Sequence, residues 1–191
     1  MKLCFASHNV HKLKEIKVLI PSSIELVSLY DIGCTEDIPE TQSTLEGNSL
    51  QKAETVFQKY KINCFADDTG LEVEALNNEP GVRSARYAGD QKDSRANVQL
   101  LLKNLEGIEN RCAHFRTIIT LLWEGNRTQF EGKVEGVITK EEKGNQGFGY
   151  DGLFIPKGQT HTFGEMDLNT KNKFNHRAIA LQKLIDFLEK I

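Results

Sequence analysis

Short apolar segments alternate with segments of helical hydrophobic spacing through the first half of this chain. Residues 3–6 are apolar and lead into the polar residues 7–9, after which apolar residues recur at helical spacing as far as Pro21. A buried strand reads as a continuous apolar run, whereas an amphipathic helix repeats its apolar residues every three or four positions. A strand that passes through a polar turn into a helix is the unit from which α/β proteins are built. The pattern therefore predicts an α/β fold.

Further strands and helices are predicted from the same two kinds of spacing. Ser43 followed by Glu46 has the spacing of a capping box, which predicts the start of a second helix. Two alternating segments joined around residues 124–126 predict a hairpin. Because strands and helices alternate early and the hairpin comes later, we expect a mixed sheet. The predicted strands cover residues 3–6, 24–29, 62–66, 71–75, 113–123, 128–138 and 153–155, and the later helices cover residues 91–105 and 174–188.

Length and charge narrow the class of protein. The 191 residues suffice for one full domain, which we expect to span residues 1–191. The formal net charge of −3 argues against nucleic acid as a partner, and the absence of any apolar run near the roughly 20 residues of a membrane span argues against a membrane. The polar residues 7–9 come too early for a signal peptide, and the four cysteines form no CxxC pair. We therefore expect a cytoplasmic protein with reduced thiols.

The turn between the first predicted strand and helix is suited to phosphate. A helix N-terminus offers backbone N–H groups and a partial positive charge, and a lysine in the first turn adds a full one. There is no GxxxxGK[ST] sequence, so a Walker P-loop is excluded. The alternative is an ordinary helix capped by Asn9, with a solvated lysine. The candidate residues are Ser7, His8, Asn9, Val10, His11 and Lys12.

Three acidic residues form a candidate magnesium site. Glu40 lies in a polar loop, and Asp67 and Asp68 follow the third predicted strand. Adjacent strand residues point to opposite faces, so only one aspartate can face a given cleft unless the strand has already ended. Magnesium takes few carboxylates and keeps waters and substrate phosphates in its shell, so Glu40 with one or both aspartates would suffice. The alternative is a solvated Asx turn at Asp68.

Two polar clusters near the C-terminus could bind the rest of a ligand. Residues 144–152 are rich in glycine, and Phe148 and Tyr150 could offer ring faces for stacking on a base, although a simple turn is the alternative. Asn175 could cap the last helix, which would place His176 and Arg177 in its first turn. Cations there oppose the helix dipole, so we expect an anionic or carbonyl-bearing ligand.

Taken together, these segments resemble the inosine triphosphate pyrophosphatase family, also called Ham1-like proteins. The resemblance covers essentially the whole chain. Its motifs occur in the family's order: Ser7-His8-Asn9 with Lys12 and Glu15, Glu40, Asn48 with Lys52-Ala53, residues 65–71, Pro80-Gly81 with residues 84–87, residues 147–151, and Lys171-Asn172 with His176-Arg177. The resemblance implies a two-lobed fold with a long mixed sheet, a substrate cleft between the lobes, and a homodimer. It implies hydrolysis of ITP, dITP or XTP to the monophosphate and pyrophosphate with Mg²⁺, for which Mn²⁺ can substitute.

The resemblance also assigns expected tasks to individual residues. Residues 7–12 and Lys52 are expected to hold the triphosphate, while Glu40 and Asp68 hold metal. Asp68 is also expected to accept the proton of the attacking water, and Thr69 to contact substrate. The expected base pocket consists of Phe148, Gly149, Tyr150, Asp151, Lys171, His176 and Arg177.

Selection of the purine has a chemical basis that these residues could supply. Hypoxanthine and xanthine carry an acceptor oxygen at C6, where adenine carries an amino donor. His176, Arg177 or nearby backbone N–H groups present donors, which pair with the oxygen and leave the amino group of adenine mispaired. Donors alone do not exclude GTP, because guanine shares the C6 oxygen.

Two other functions remain open on the sequence. One is a pyrophosphatase for other modified nucleotides, such as pyrimidine triphosphates, as in Maf-like proteins. The other is a nucleotide sensor that binds without hydrolysis. A sensor would explain the lysines and the aromatic loop, but it would leave the acidic residues without a task.

Overall fold

A computed structural model describes residues 1–190 of the chain. Each predicted helix is present, and the predicted strands are present with ends shifted by a few residues, except that the strands predicted at residues 62–66 and 71–75 belong to one strand. The strands are β1 (Lys2–Phe5), β2 (Glu25–Ser28), β3 (Cys64–Val73), β4 (Glu79–Gly81), β5 (Cys112–Trp123), β6 (Asn126–Ile138) and β7 (Phe154–Pro156). The α-helices are α1 (Val10–Leu19), α2 (Leu45–Tyr60), α3 (Ser94–Asn104), α4 (Leu168–Asn172) and α5 (His176–Leu188).

The strands form one mixed sheet, which confirms the predicted fold class. Its order is β2-β1-β3-β5-β6-β7, and β4 pairs with β3 outside this path. β1 pairs in parallel with both β2 and β3, whereas β4 on β3 and β7 on β6 are antiparallel. The predicted hairpin joins β5 to β6 through Glu124 and Gly125, both at positive φ, as a tight two-residue turn requires.

The chain divides into two compact units. The first contains Met1–Asp68, Thr117–Gly132 and the C-terminal segment from Arg177, and the second contains Thr69–Arg116 and Lys133–His176. The assignment of residues 1–191 to a single domain stays a prediction. No helix within residues 1–190 is long and apolar enough to cross a membrane.

The first unit has a hydrophobic cluster on either side of its strands. Phe5 and Phe65, from neighbouring strands, stack at 5.0 Å and belong to a cluster that also includes Ile16 of α1 and Leu181 of α5. A second cluster packs the apolar face of α2, including Val56, against Cys4, Cys64 and other residues of the sheet. Because both faces of these parallel strands are covered, the paired residues 3–5 of β1 and 64–66 of β3 are all apolar.

The second unit has one core of its own. Val98 and Leu101 of α3 pack with Phe115 of β5, Phe154 of β7 and Phe163. Phe115 and Phe154 meet edge to face, with ring centroids 4.8 Å apart.

Two local predictions differ from the structure. β3 runs without a break through Asp67 and Asp68, where two separate strands were predicted, with an Asx turn at Asp68 as the alternative to a metal site. Gly70 permits this continuity, because a Cβ there would lie 2.6 Å from the carbonyl oxygen of Gly81 on the paired strand β4. The predicted capping box at Ser43 is also wrong: Thr44 caps α2, and its side chain accepts a hydrogen bond from the Gly47 amide at 3.0 Å.

Candidate active site

The consecutive residues Asp67 and Asp68 of β3 contact different parts of the first unit. The Asp67 carboxylate pairs with side chains of α1 and α5, and the Asp68 carboxylate contacts side chains of α2. An extended strand alternates its side chains between two faces, so an unbroken β3 separates the two carboxylates in this way. They therefore have different electrostatic surroundings although they are neighbours in the chain.

Asp67 is the centre of a buried ion network. Its Oδ2 lies 3.0 Å from Nζ of Lys12 and 3.0 Å from Nε of Arg177. Nη1 of Arg177 also pairs with the carboxylate of Glu15, one turn after Lys12 on α1. Asp67 is completely buried, and Arg177 is 1% exposed. Two cations thus face two anions, which is the compensation that buried charges require.

The charges of this network stabilise one another. Burial would raise the pKa of Asp67, but Lys12, Arg177 and Lys52 together hold it well below its usual range. Burial would lower the pKa of Arg177, but Glu15 and Asp67 raise it overall. For Lys12, burial outweighs the attraction of Asp67, so the pKa of its ammonium falls. Asp67 is therefore ionised near neutral pH and is a poor proton acceptor there.

The turn before α1 ends at Asn9, which caps the helix. Oδ1 of Asn9 accepts hydrogen bonds from the amides of His11 and Lys12 at 3.0 and 3.1 Å, which confirms the predicted cap. Ser7 Oγ accepts from the Asn9 amide at 3.2 Å. Nε2 of His8 lies 3.0 Å from the carbonyl oxygen of Glu36, so this turn contacts the segment that leads to Glu40.

Asp68 and Glu40 share one ammonium group. Nζ of Lys52 lies 2.5 Å from Oε1 of Glu40 and 3.6 Å from Oδ1 of Asp68. Nδ2 of Asn48 donates to Oδ2 of Asp68 at 3.1 Å. Burial raises the pKa of Asp68, and although Lys52 and Lys12 oppose this effect, the net shift is upward. Asp68 is thus a stronger base than its neighbour Asp67.

The two carboxylates provide donors that suit a hard cation. Glu40 and Asp68 offer oxygen ligands, and the Lys52 ammonium already bridges them as a positive charge. Within residues 1–190 there is no group of three His, Cys, Asp or Glu side chains arranged to hold a metal. Magnesium does not require one, because waters and substrate phosphates complete its octahedral shell. The residues therefore fit a divalent ion shared with an anionic ligand.

In the second unit, the glycine-rich segment turns around Asp151. Oδ2 of Asp151 accepts from the Phe148 amide at 2.8 Å and from Nζ of Lys171 at 2.6 Å. Nζ of Lys171 also lies 5.2 Å from the centre of the Phe148 ring. Gly147 has φ +73°, and a Cβ there would collide with the Asp151 carboxylate. The turn thus needs glycine at 147 and holds the half-buried Phe148 ring beside a cation.

The two rings of this segment have different surroundings. Tyr150 is 5% exposed, packs in the core of the second unit, and donates its hydroxyl to the carbonyl oxygen of Ser84 at 2.8 Å. Burial raises the pKa of Tyr150. Phe148 is thus the more exposed ring of this pair, and Tyr150 fixes the segment that carries it.

His176 and Arg177 are consecutive but have separate partners. The His176 ring stacks on Phe115 with centroids 4.6 Å apart and belongs to the second unit. Arg177 belongs to the first unit, where Asp67 and Glu15 bind its guanidinium. The sequence predicted an anionic or carbonyl-bearing ligand beside the cations of this turn. For Arg177, two carboxylates of the protein, Asp67 and Glu15, supply the negative charge.

The predicted site residues form two groups. The first unit brings together the turn 7–12, Glu40, Lys52 and Asp68, and adds Arg177. The second unit brings together Phe148, Gly149, Asp151, Lys171 and His176, with Tyr150 beneath them. Thr69 is half-buried in β3, directly after Asp68.

Sequence reasoning assigned no task to two residues that the structure places at the site. Glu15 is three positions after Lys12, and Asn48 is four positions before Lys52. Residues three or four apart share a helix face, so each of these residues lies on the same face as a proposed ligand-binding lysine. This spacing is the sequence signal that could have identified them.

Known proteins match this chain along almost its whole length. The model described as the Ham1 family matches residues 3–187. A protein named dITP/XTP pyrophosphatase from Flavobacterium johnsoniae is 54% identical over 188 residues, which cover 98% of each chain. A protein of the same name from Bacillus subtilis is 46% identical, with 96% of this chain and 95% of the other covered.

Solved structures of Ham1 proteins also match the fold of this chain. A HAM1 protein from Coxiella burnetii matches with a TM-score of 0.91 and 33% identity, covering all of both chains. The Ham1 protein of Staphylococcus aureus matches with a TM-score of 0.89 and 34% identity, covering 100% of this chain and 99% of the other.

Proposed function

Because this chain belongs to the Ham1 family, we propose that it is a hydrolase that converts the non-standard purine nucleotides ITP, dITP and XTP to their monophosphates and pyrophosphate. The observation that carries the proposal is the pair of carboxylates, Glu40 and Asp68, that share the Lys52 ammonium. A protein that only bound nucleotides would gain little from carboxylates near a phosphate site, since they repel the ligand. Removal of such nucleotides from the nucleotide pool would be the biological task.

The triphosphate is held by the turn 7–12 with Lys12 and Lys52. Lys12 is anchored by Asp67, so its ammonium is fixed before the substrate arrives. Lys52 is the bridging cation of the two carboxylates and can offset charge on a leaving pyrophosphate. Arg177 acts behind Lys12, by fixing Asp67. The base-pocket task that the resemblance implies for Arg177 stays a prediction.

Glu40 and Asp68 would hold a divalent ion, Mg²⁺ with Mn²⁺ as a substitute. When bound, it neutralises phosphate oxygens and increases the acidity of water. Both carboxylates come from the first unit and contact the same ammonium, so they are the residues that would hold a divalent cation. The chemistry of the donors supports magnesium rather than a soft metal.

Asp68 accepts the proton of the attacking water. The water oxygen forms a bond to the α-phosphorus, the bond from this phosphorus to the bridging oxygen breaks, and pyrophosphate leaves with the electron pair. The upward shift in the pKa of Asp68 makes it the better base of the two aspartates. Thr69, next in β3, is expected to contact the substrate.

The purine is bound by the residues around Asp151. The Phe148 ring can stack on the base, and Gly149 allows a close approach of the backbone. Lys171 and His176 are the cationic and ring donors available for the C6 oxygen of the base. Asp151 orients the Lys171 ammonium. Adenine presents an amino group at C6 and would face a donor, which costs about 1–3 kcal/mol for a buried mispaired group.

The remaining expectations from the sequence belong to the same proposal. The protein acts as a cytoplasmic homodimer of single-domain chains, and nucleic acid and membranes are not its partners.

The proposal is tested by measuring pyrophosphate release from a panel of nucleoside triphosphates. We expect turnover of ITP, dITP and XTP that requires Mg²⁺ or Mn²⁺ and exceeds turnover of ATP, GTP and pyrimidine triphosphates. A preference for a modified pyrimidine triphosphate would favour the Maf-like alternative. Tight binding of ITP without pyrophosphate release, in the presence of either metal, would favour the sensor.

A further inference from the structure

Three polar side chains of α2 hold the segment around Glu40. Oδ1 of Asn48 accepts a hydrogen bond from the Gln42 amide at 2.9 Å. Oε1 of Gln51 accepts from the Thr41 amide at 2.9 Å, and its Nε2 donates to Oγ1 of Thr41 at the same distance. Lys52 binds the Glu40 carboxylate itself. Glu40 thus lies in a segment whose next two amides are both fixed by α2.

Asn48 differs from the others because it also reaches Asp68. While Oδ1 accepts from the Gln42 amide, Nδ2 donates to Oδ2 of Asp68 at 3.1 Å. A backbone N–H can only donate and an ionised carboxylate can only accept, so the orientation of the carboxamide is determined by its two partners. Asn48 is 2% exposed, so water cannot readily replace either bond.

This geometry separates the tasks of Asn48 and Lys52. Lys52 bridges the two carboxylates with a charge at the end of a long, flexible side chain. A metal ion would compete with this ammonium for the carboxylates, and a phosphate would compete with the carboxylates for the ammonium. The short, rigid carboxamide of Asn48 bears no charge and connects the same two segments through directional bonds. It can keep the segments in place when Lys52 turns to the substrate.

We infer that Asn48 is a positioning residue for the proposed reaction: its carboxamide holds the Glu40 segment and the Asp68 carboxylate at the separation at which both can bind one divalent ion. The inference rests on the proposed function. Asn48 has no contact with substrate in this scheme and acts only through the two carboxylates. Partners of metal ligands of this kind typically change metal affinity or activity by about 10–100-fold when they are removed.

The chain offers a matched control in Asn97. Asn97 is the fourth residue of α3, as Asn48 is the fourth residue of α2, and it is 4% exposed. Its Oδ1 accepts from the Ala88 amide at 2.7 Å, and its Nδ2 donates to the Ala85 carbonyl oxygen at 3.0 Å. It therefore makes the same two kinds of bond within the second unit, without contacting a carboxylate.

The test compares Asn48→Leu and Asn48→Ser with Asn97→Leu and Asn97→Ser in the full chain. Leucine is similar in size and removes both bonds, and serine is the milder change if the leucine variant does not fold. Mn²⁺ binding without nucleotide is measured by electron paramagnetic resonance. The values of kcat and KM for ITP with Mg²⁺, and the thermal unfolding midpoint, are measured on the same samples.

We expect the Asn48 variants to lose about 10–100-fold in Mn²⁺ affinity and in kcat, with KM for ITP changed by less than about threefold. The Asn97 variants should lose a similar amount of thermal stability but retain Mn²⁺ affinity and kcat. The inference is overturned if the folded Asn48 variants bind Mn²⁺ within about twofold of the wild type, if the Asn97 variants lose as much affinity, or if the wild type binds no Mn²⁺.

Failure of the proposed function and failure of the Asn48 inference give different results in these measurements. A wild-type protein that releases no pyrophosphate from any nucleotide would refute the hydrolase, while the Mn²⁺ affinities would still report on Asn48. An active wild type whose Asn48 variants match it in metal affinity would refute the positioning inference alone.

Discussion

Replacing Asp67 with asparagine is expected to lower the free energy of unfolding substantially, because it removes one anion from a buried network. In the wild type, Lys12 and Arg177 face Asp67 and Glu15, so two cations balance two anions. Asp67→Asn leaves two cations with one anion in a region where Asp67 and Arg177 are 0% and 1% exposed. Breaking a buried pair in this way costs about 3–5 kcal/mol, which is a large part of the roughly 5–15 kcal/mol that stabilises a typical domain.

Chemical denaturation with urea at pH 7 measures this loss directly. Thermal unfolding should show a midpoint lower by about 6–20 °C, since 1 kcal/mol corresponds to about 2–4 °C for a chain of this size. Glu135→Gln serves as the control, because Glu135 pairs with Lys157 at 3.0 Å on the surface, with side chains 60% and 79% exposed. Solvent screens such a pair, so the control should unfold close to the wild type.

The pH dependence provides a second test. The pKa of Asp67 is held below its unfolded value, so its contribution to stability is present above the unfolded pKa of about 3.9 and is lost as the pH falls through the folded pKa. The difference between the wild type and Asp67→Asn should thus be constant from about pH 5 to 8 and shrink in stronger acid. A difference below about 1 kcal/mol at pH 7, or one that grows on acidification, would refute the network as described.

Asp68→Asn should abolish most pyrophosphate release, by about 10²–10⁴-fold, while lowering the unfolding midpoint much less than Asp67→Asn does; retention of most activity would remove Asp68 from the task of proton acceptor. Lys171→Met should reduce the preference for ITP over ATP, because it removes the ammonium that Asp151 orients beside Phe148. This is checked by the ratio of kcat/KM for the two nucleotides, and an unchanged ratio would place the base elsewhere.

The predictions that succeeded depend on short-range physics. The order of strands and helices follows from local hydrophobic spacing, and the cap at Asn9 follows from one oxygen within reach of the amides of His11 and Lys12. The acidic residues could be singled out because their residue types and their place after an apolar strand are visible in the sequence.

What the sequence did not reveal depends on distant residues. Arg177 meets Asp67 across 110 positions, and no local pattern encodes that pair. The unbroken β3 depends on the close approach of the Gly81 backbone to Gly70, which a polar segment of sequence does not indicate. Tyr150 is buried in the core of the second unit and donates a hydrogen bond to the Ser84 carbonyl, 66 positions away, which no local pattern indicates.

The unbroken path of β3 through two consecutive aspartates has a practical consequence for engineering. Identical side chains one position apart face different neighbours, so a substitution at one aspartate leaves the contacts of the other aspartate in place. Conversely, inserting or deleting a single amino acid just before Asp67 would exchange the two surroundings. Such a one-residue register shift should therefore reduce stability and activity more than most substitutions at either aspartate.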